Sequence, residues 1–433
     1  MIDIKLIREN PLLVKENIKR KFQNEKLVLV DKVKKKDEEW RELKGKADGL
    51  RASRNRISKE ISEAMKAKDK KKADKLMKEA KEVPDKIAKI EEEMKKLEGE
   101  ISESMFKIPN IIHKSVPIGK DSSENVEIKK IGKPRKFGFP LKNHVEIAEG
   151  LGIADFDTSA KTSGNGFYYL IGDLALLNQA LIRFAIEKMV KNGYTYVETP
   201  LMIRQKILEG VYSASEIAEM SYKIQDEDLF LIATSEHSLI GYYKEKTLAL
   251  KELPVKNASY SMCFRKEIGS HGINEKGLFR THQFNKVEMV VVCHPTESYK
   301  LYDEMLSIAV EIYKELGIPI RVLECCSGDL ADLKAKSCDL EFWSPVEEKY
   351  KEVGSLTNME EAQARRLGIK FADKDGQRRY VHTLNNTAIA TSRALRAILE
   401  NYQMKDGSVE VPKVLQKFMG GKKVIKKMQN NNS

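Results

Sequence analysis

The stretch CFRKEIGSHGINEKGLFRTHQFNKVEMVVV, residues 263–292, decides the fold of the larger part of this chain. Two strand-like halves flank a loop of glycine, asparagine and histidine, so the segment reads as a β-hairpin. Arg265 and Glu267 are expected on the first strand, and Arg280, Phe284 and Glu288 on the second. Residues two apart share a face of a strand, which groups Arg265 with Glu267, and Phe284 with Lys286 and Glu288. Such a face packs badly. It suits a site, with an arginine for a phosphate, a ring to stack on a base and a carboxylate for an ammonium group. Cross-strand salt bridging on a solvated face is the plain alternative.

Outward from this hairpin the pattern stays mixed. Short β-branched runs occur at YTYVETP (194–200), LFLIAT (229–234) and IRVLEC (320–325), and helical periodicity at 173–192 and 296–316. Strands separated by turns, with helices between them, predict an α+β domain over about residues 141–420. Its antiparallel sheet is expected to carry helices on one side. LNNTAIATSRALRAILENYQ, residues 384–403, reads as a strand or turn running into a helix, with Arg393 near the helix start. By itself it is also compatible with an ordinary amphipathic helix. No internal repeat and no GxxxxGK[ST] phosphate loop is present.

Residues 1–110 differ in kind. They hold 31 lysines and arginines against 23 acids, a surplus of eight in a chain whose total is +12. Glycine is confined to Gly45 and Gly49 before Gly99, and proline to Pro11 and Pro84 before Pro109. Val33, Trp40, Leu43, Ala47, Leu50, Ile57, Ile61 and Ala64 keep a 3–4 spacing, interrupted at Arg54. Ala73, Leu76, Ala80, Val83, Ile87, Ile90, Met94, Leu97 and Ile101 repeat it after a lysine-rich break. Each stripe is narrow, so each helix needs one partner. The prediction is a long antiparallel helical hairpin, an arm of roughly 55 Å, in which Pro84 kinks the second helix or begins a fresh one. Residues 51–72, the far end, carry nine bases (Arg51, Arg54, Arg56, Lys59, Lys66, Lys68, Lys70, Lys71 and Lys72) against three acids. A rod with positive charge at its tip can probe a phosphate backbone, although most charge runs are merely solvated faces.

Residues 111–140 are rich in Pro, Gly, Ser and Asn and read as a linker, and 421–433 as a basic, disordered tail. At 433 residues, 41% hydrophobic and 33% charged, the chain is neither fibrous nor intrinsically disordered. Cys263, Cys293, Cys325, Cys326 and Cys338 show no CxxC spacing, so neither a disulfide framework nor a zinc knuckle is indicated. The opening MIDIKLIRENPLLVKEN is too charged for a signal peptide, and no apolar run approaches the ~18 residues of a membrane span. A soluble protein of a reducing compartment is expected.

Taken together, the three chemistry-bearing segments KNGYTYVETPLMI (191–203), 263–292 and 384–403 resemble the signature motifs of class II aminoacyl-tRNA synthetases. The resemblance is closer to the seryl-tRNA synthetase family. MIDIKLIRENP, the helical arm, IPNIIHKSVPIGKD, SGNGFYYL, TSEHSL, FRKEIGS, GLFRTHQFNKVE, SCDLEFW, YKEVGSLTN, EAQARR and RAILENYQ follow in that family's order over residues 1–420. LNNTAIATSR, with Asn386 and Thr387, is nearer the archaeal or eukaryotic style.

The resemblance implies a class II catalytic domain that forms seryl-adenylate from serine and ATP and passes serine to tRNA-Ser. It implies ATP contacts by Arg265, Lys266, Glu267, Arg280, Thr281, Phe284, Glu352, Val353, Gly354, Ser355 and Arg393, with Arg265, Arg393 and Glu352 central to catalysis. Glu352 and Ser355 would hold Mg²⁺ on the ATP phosphates. Serine would be held by Thr234, Ser235, Glu236, Arg265, Glu288, Asn385 and Thr387. Pro200 would sit in the motif that builds a homodimer interface. The arm's nine bases would grip the long variable arm of tRNA-Ser, and the family's range extends to tRNA-Sec. The cytoplasm is the expected compartment, and no zinc is expected, because the common motifs are kept and the cysteines read as buried thiols. Two other readings belong to the same fold: a ligase that loads a carrier protein, which would lack the arm, and a non-catalytic nucleic-acid binder, which would have lost Arg265, Glu288 or Arg393.

Overall fold

The structure, a computed structural model, describes residues 1–268 and 276–428. The loop at the tip of the 263–292 hairpin and the last five residues of the expected tail lie outside them. The chain divides into two compact units, Ile2–Pro109 and Asn110–Ser433, with Met1 counted in the second.

The first unit begins with two short helices, α1 (Ile4–Glu9) and α2 (Pro11–Arg20), capped by the side chains of Asp3 and Asn10. Two long helices follow, α3 (Leu27–Lys66) and α4 (Lys70–Lys107). At 1.5 Å per residue each is about 60 Å long. The anticipated seam is present: Val33, Ala47, Ile57 and Ala64 are buried on α3, and Ala73, Leu76, Val83 and Ile87 on α4. The seam's interruption falls on half-buried Ser53, while Arg54 is exposed. Pro84 starts no fresh helix; α4 runs through it. A proline inside a helix loses one hydrogen bond, but Val83 and Ile87 on either side pack with Ile57 and Leu76 and hold the chain helical. The hairpin turns at Ala67–Lys68–Asp69. Lys68 takes the left-handed conformation at φ +60°, the Asp69 N–H bonds the Ala64 carbonyl at 3.0 Å, and Asp69 caps α4.

Asp37 is a buried acid in the α3 seam. The Arg8 guanidinium donates to both of its oxygens (2.8 and 2.6 Å), and Arg41 Nε to one of them (3.0 Å). Burial pushes this carboxyl up, but the two arginines outweigh it and hold it below its ordinary value.

The second unit is built on an eight-stranded sheet: β1 (Val126–Ile131), β2 (Thr195–Tyr196), β3 (Val255–Phe264), β4 (Gln283–Cys293), β5 (Ile320–Glu324), β6 (Lys336–Ser344), β7 (Lys349–Glu360) and β8 (His382–Ala390). Their order is β1-β5-β6-β7-β8-β4-β3-β2, and the pairings are antiparallel apart from the parallel β2–β3 pair. Three helices, α5 (Gly172–Lys191), α7 (Ser298–Glu315) and α9 (Thr391–Asn401), share the main core with one face of the sheet. On α7 the buried residues Leu301, Tyr302, Met305, Ile308, Ala309, Ile312 and Tyr313 trace the expected helical stripe. Helices are not confined to that side. Short helices α6 (Ser235–Gly241) and α8 (Ala362–Leu367) join a second apolar cluster, which also takes Val290 and Val292 from the opposite face of β4.

Two segments read as irregular contain paired strand among their described residues. The linker 111–140 supplies β1, which pairs with β5 at the sheet border. Within the expected tail, Val424 and Ile425 pair with Val409 and Glu410, Ile425 is fully buried, and the Met428 N–H bonds the Leu151 carbonyl at 3.0 Å. Both segments contain a β-branched pair that composition conceals among lysines and glycines. Among the described residues no helix is long and apolar enough to cross a membrane.

Replacing Asp37 with Asn should remove the charge that anchors Arg8 and Arg41 and cost the arm about 1–3 kcal/mol. Urea denaturation followed by far-ultraviolet circular dichroism measures this loss.

Candidate active site

The site grows from the two-residue period of β4. Val287, Met289, Val291 and Cys293 point into the main core. Phe284, Lys286 and Glu288 point the other way and line a cavity of about 420 Å³. Regular strand ends before the expected arginines. β3 stops at Phe264 and β4 begins at Gln283, so Arg265, Glu267 and Arg280 lie beyond the ladder rather than on it. Glu267 departs in the left-handed conformation, φ +53°, which breaks the alternation. One backbone bond still ties the two chains, from the Arg265 N–H to the His282 carbonyl at 2.9 Å. All three side chains reach the cavity.

Two bulges complete the wall. Glu352 and Ser355 are three apart and would face opposite sides of a regular strand. The register between β6 and β7 shifts at Leu340/Glu341, leaving Val353 as an extra residue, and Glu352 and Ser355 both line the cavity. A similar shift between β8 and β4 at Thr387/Ile389 leaves Ala388 extra, so Asn385, Thr387 and Ala390 line the same cavity. Val353 and Gly354 lie along this wall, and Thr281 lies beside Arg280.

Among the described residues, three ion pairs line the cavity. Arg393, in the first turn of α9, places Nη1 2.9 Å from Glu352 Oε1 and donates through Nε to the Phe279 carbonyl at 3.3 Å. Arg280 meets the buried Glu267 at 2.7 Å, and Lys286 meets the buried Glu288 at 2.5 Å. Arg265 donates to the Ala233 carbonyl (3.3 Å), and its guanidinium lies 5.1 Å from the centre of the Phe284 ring. Enclosure disfavours charge on Glu352, but Arg393 and Arg265 hold its carboxyl below the ordinary value.

At the other end, Thr234 caps α6 by accepting from the Glu236 N–H at 3.2 Å. Glu236 is buried. Its Oε1 accepts from Gln363 Nε2 (2.8 Å) and Asn385 Nδ2 (3.0 Å). Burial, and then the charge of Glu288, pushes its carboxyl up to about 7.

Two of the expected residues are not in the wall. Ser235 is fully buried with Oγ directed to the Ser259 carbonyl, and the Lys266 ammonium lies over the Tyr222 ring at 5.9 Å. Each has lining residues on both sides in sequence; Ser235 opens α6, and Lys266 lies past the end of β3. Conversely, Lys334, Asp339, Tyr212 and Phe279 line the cavity and were not anticipated. Asp339 lies inside the quoted SCDLEFW, which could have drawn attention to it; Lys334 carries no such signal. Burial, and then the charge of Glu352, raises the Asp339 carboxyl to about 6. Cys325, Asp329 and Asp339 set one ligand atom each within 4.8 Å of one another, and burial pushes the Cys325 thiol up. All five cysteines are free and buried.

In the arm, the expected tip residues Arg54, Arg56, Lys59, Lys66, Lys68, Lys70, Lys71 and Lys72 are exposed. Arg51 is engaged on the arm itself, 2.7 Å from Asp48 and 2.6 Å from Glu91.

Residues 221–402 match the tRNA synthetase class II core domain (G, H, P, S and T), and residues 1–112 match the seryl-tRNA synthetase N-terminal domain. A serine–tRNA ligase of Methanoregula boonei is 45% identical over 98% of this chain and 100% of its own length. One from Pyrococcus horikoshii is 43% identical, covering 98% of each. The crystal structure of the Pyrococcus horikoshii seryl-tRNA synthetase complexed with ATP superposes with a TM-score of 0.94 at 42% identity, covering 99% of this chain and 100% of that one. A cytoplasmic serine–tRNA ligase of Naegleria fowleri in complex with AMP gives 0.88 at 36%, covering 99% of each. The hairpin, the paired bulges, the charged cavity and the two-helix arm therefore occur in a chain that belongs to the seryl-tRNA synthetase family.

Proposed function

We propose that the cavity joins serine to ATP and then delivers the seryl group to the 3′ end of tRNA-Ser. The observation that carries this reading is one cavity with arginines, acids and a ring at one end and a buried acid with small hydroxyl and amide groups at the other. Arg265 and Arg393 take the α-phosphate and the terminal phosphate, Phe284 stacks on adenine, and Glu267 accepts from its amino group, with Arg280 and Thr281 beside it. Val353 and Gly354 form the wall along the nucleotide. Because Arg393 and Arg280 are paired with Glu352 and Glu267, a triphosphate binds by exchanging partners rather than by meeting bare cations. Glu352, whose side chain is 42% exposed, and Ser355 form a hard-oxygen pair on one face that fits Mg²⁺. The ion would neutralise phosphate charge there.

Glu236 and Glu288 face the serine ammonium, and Thr387 and Asn385 the hydroxyl. A carboxylate oxygen of serine attacks the α-phosphorus as the bond to pyrophosphate breaks. The terminal ribose hydroxyl of tRNA then attacks the seryl carbonyl and AMP leaves. The chain's contribution is positioning and charge stabilisation, without a covalent enzyme intermediate. Alanine would leave the polar groups at the hydroxyl unpaired.

The exposed bases of the arm's tip suit the phosphates of the tRNA variable arm, and tRNA-Sec offers the same kind of surface. Leu176 and Val190 on α5, and Leu201 and Met202 just after Pro200, are exposed apolar residues, which supports a homodimer through these segments. Work in the cytoplasm is part of the same reading, supported by five unpaired thiols.

Serine-dependent ATP–pyrophosphate exchange tests the reading directly, and its absence would sink it. Arg265→Ala should lower exchange on the order of 10²–10³-fold with the circular dichroism spectrum unchanged. Because an ammonium needs an ionised partner, kcat/KM for serine should fall as pH drops below about 7, as Glu236 protonates. Replacing Lys66, Lys68, Lys70, Lys71 and Lys72 with Gln should raise the KM for tRNA while leaving exchange intact. It should also flatten the salt dependence of tRNA binding, by about one unit of logarithmic slope for each phosphate the tip no longer neutralises.

A further inference from the structure

We infer that Gln363, braced by Thr383, is a positioning residue that orients Glu236 and thereby sets the enzyme's hold on the α-ammonium of its amino-acid substrate. Gln363 lies on α8 and is fully buried, outside the cavity wall. Thr383 and Asn385 lie two apart on β8 and so share a face. The Thr383 hydroxyl donates to Gln363 Oε1 at 2.7 Å, which leaves Nε2 for a partner on the other side. That nitrogen donates to Glu236 Oε1 at 2.8 Å, and Asn385 Nδ2 donates to the same oxygen at 3.0 Å. With Oε1 held by two amides, Oε2 is left for the cavity that Glu236 lines.

The bonds also act on charge. Burial and the neighbouring Glu288 oppose ionisation of Glu236, whereas the Gln363 hydrogen bond, Lys286 and Lys334 favour it. A donor that stabilises the charged form widens the pH range in which an ammonium is bound. The direction of the amide is what matters. A glutamine turned the other way would present its own carbonyl to Glu236, two acceptors face to face. The ionised Glu236 only accepts, so it selects the orientation that presents Nε2, and Thr383, also fully buried, stabilises that orientation by donating to the amide carbonyl.

The inference rests on the reading of Glu236 as an ammonium ligand, so the test separates the two. ATP–pyrophosphate exchange is measured between about pH 5.5 and 8.5 with serine and ATP varied independently. The proteins are the full chain, Gln363→Met, Thr383→Val, Thr383→Ser and Glu236→Gln. Gln363→Met should raise the KM for serine about tenfold, leave the KM for ATP within about twofold, and move the acid limb of kcat/KM for serine upward by about one pH unit. Thr383→Val should shift the same quantities in the same direction by less, and Thr383→Ser should restore them. If Gln363→Met does not fold, Thr383→Val, which keeps the side-chain shape, decides the matter alone. An unchanged serine KM and acid limb in these variants, or equal changes in the KM for serine and for ATP, overturns the inference. Glu236→Gln with an unaltered serine KM would instead overturn the ammonium reading beneath it.

Discussion

On β4, odd-numbered residues build the main core while even-numbered ones serve the cavity and then the second apolar cluster. One strand thus supplies packing and chemistry at once, and a one-residue slip would exchange them, burying Lys286 and Glu288 in the core. The register is held from both sides. β3 pairs with β4 from Val255↔Val292 to Phe264↔Gln283, and β8 pairs with it along the other edge. Thr387 sits directly across from Glu288, so strand pairing alone brings these two cavity residues together.

The cavity is a concentration of ions in a partly enclosed space, and enclosed ions are costly unless paired. Two of the pairs join different segments, while Lys286 and Glu288 pair along β4 itself. Arg393 on α9 holds Glu352 on β7, and Arg280, just before β4, holds Glu267, just after β3. The pairs hold these side chains in the walls before any ligand is present, and keep each charge compensated until an exchange of partners. Glu236 is different: its partners are neutral amides and its carboxyl is pushed up rather than down. The two ends of the cavity solve the burial of charge in opposite ways.

Much of this could be read from the amino-acid order. The helical stripes of the arm, the alternation at Phe284, Lys286 and Glu288, and the strand-to-helix passage leading to Arg393 are periodic signals, and period follows from backbone geometry. What could not be read arises where the period breaks. The extra residues Val353 and Ala388 turn side chains onto a common face without any local signal, because a bulge is decided by the neighbouring strand. Arg265 and Glu267 lie past the end of β3 for a related reason, the positive φ of Glu267. Gln363 lies inside the quoted EAQARR, but its role could not be read because its partners, Glu236 and Thr383, are remote in sequence. No fresh helix begins at Pro84, where seam packing outweighs the missing donor, and β1 and the Val424–Ile425 pair are masked by the charged residues among and around them.

The borders of the large sheet have a further consequence. One is β1, whose sequence VEIKKI carries Glu127, Lys129 and Lys130 and a register shift between Glu127 and Lys129; the other is β2, two residues long. Lysines, a local irregularity and brevity are each devices that spoil a template for an incoming strand. A sheet this wide would otherwise be a hazard in a crowded cell, where nascent and damaged chains present free backbone. Both margins are thereby blunted against the edge-to-edge pairing that starts fibrous aggregates.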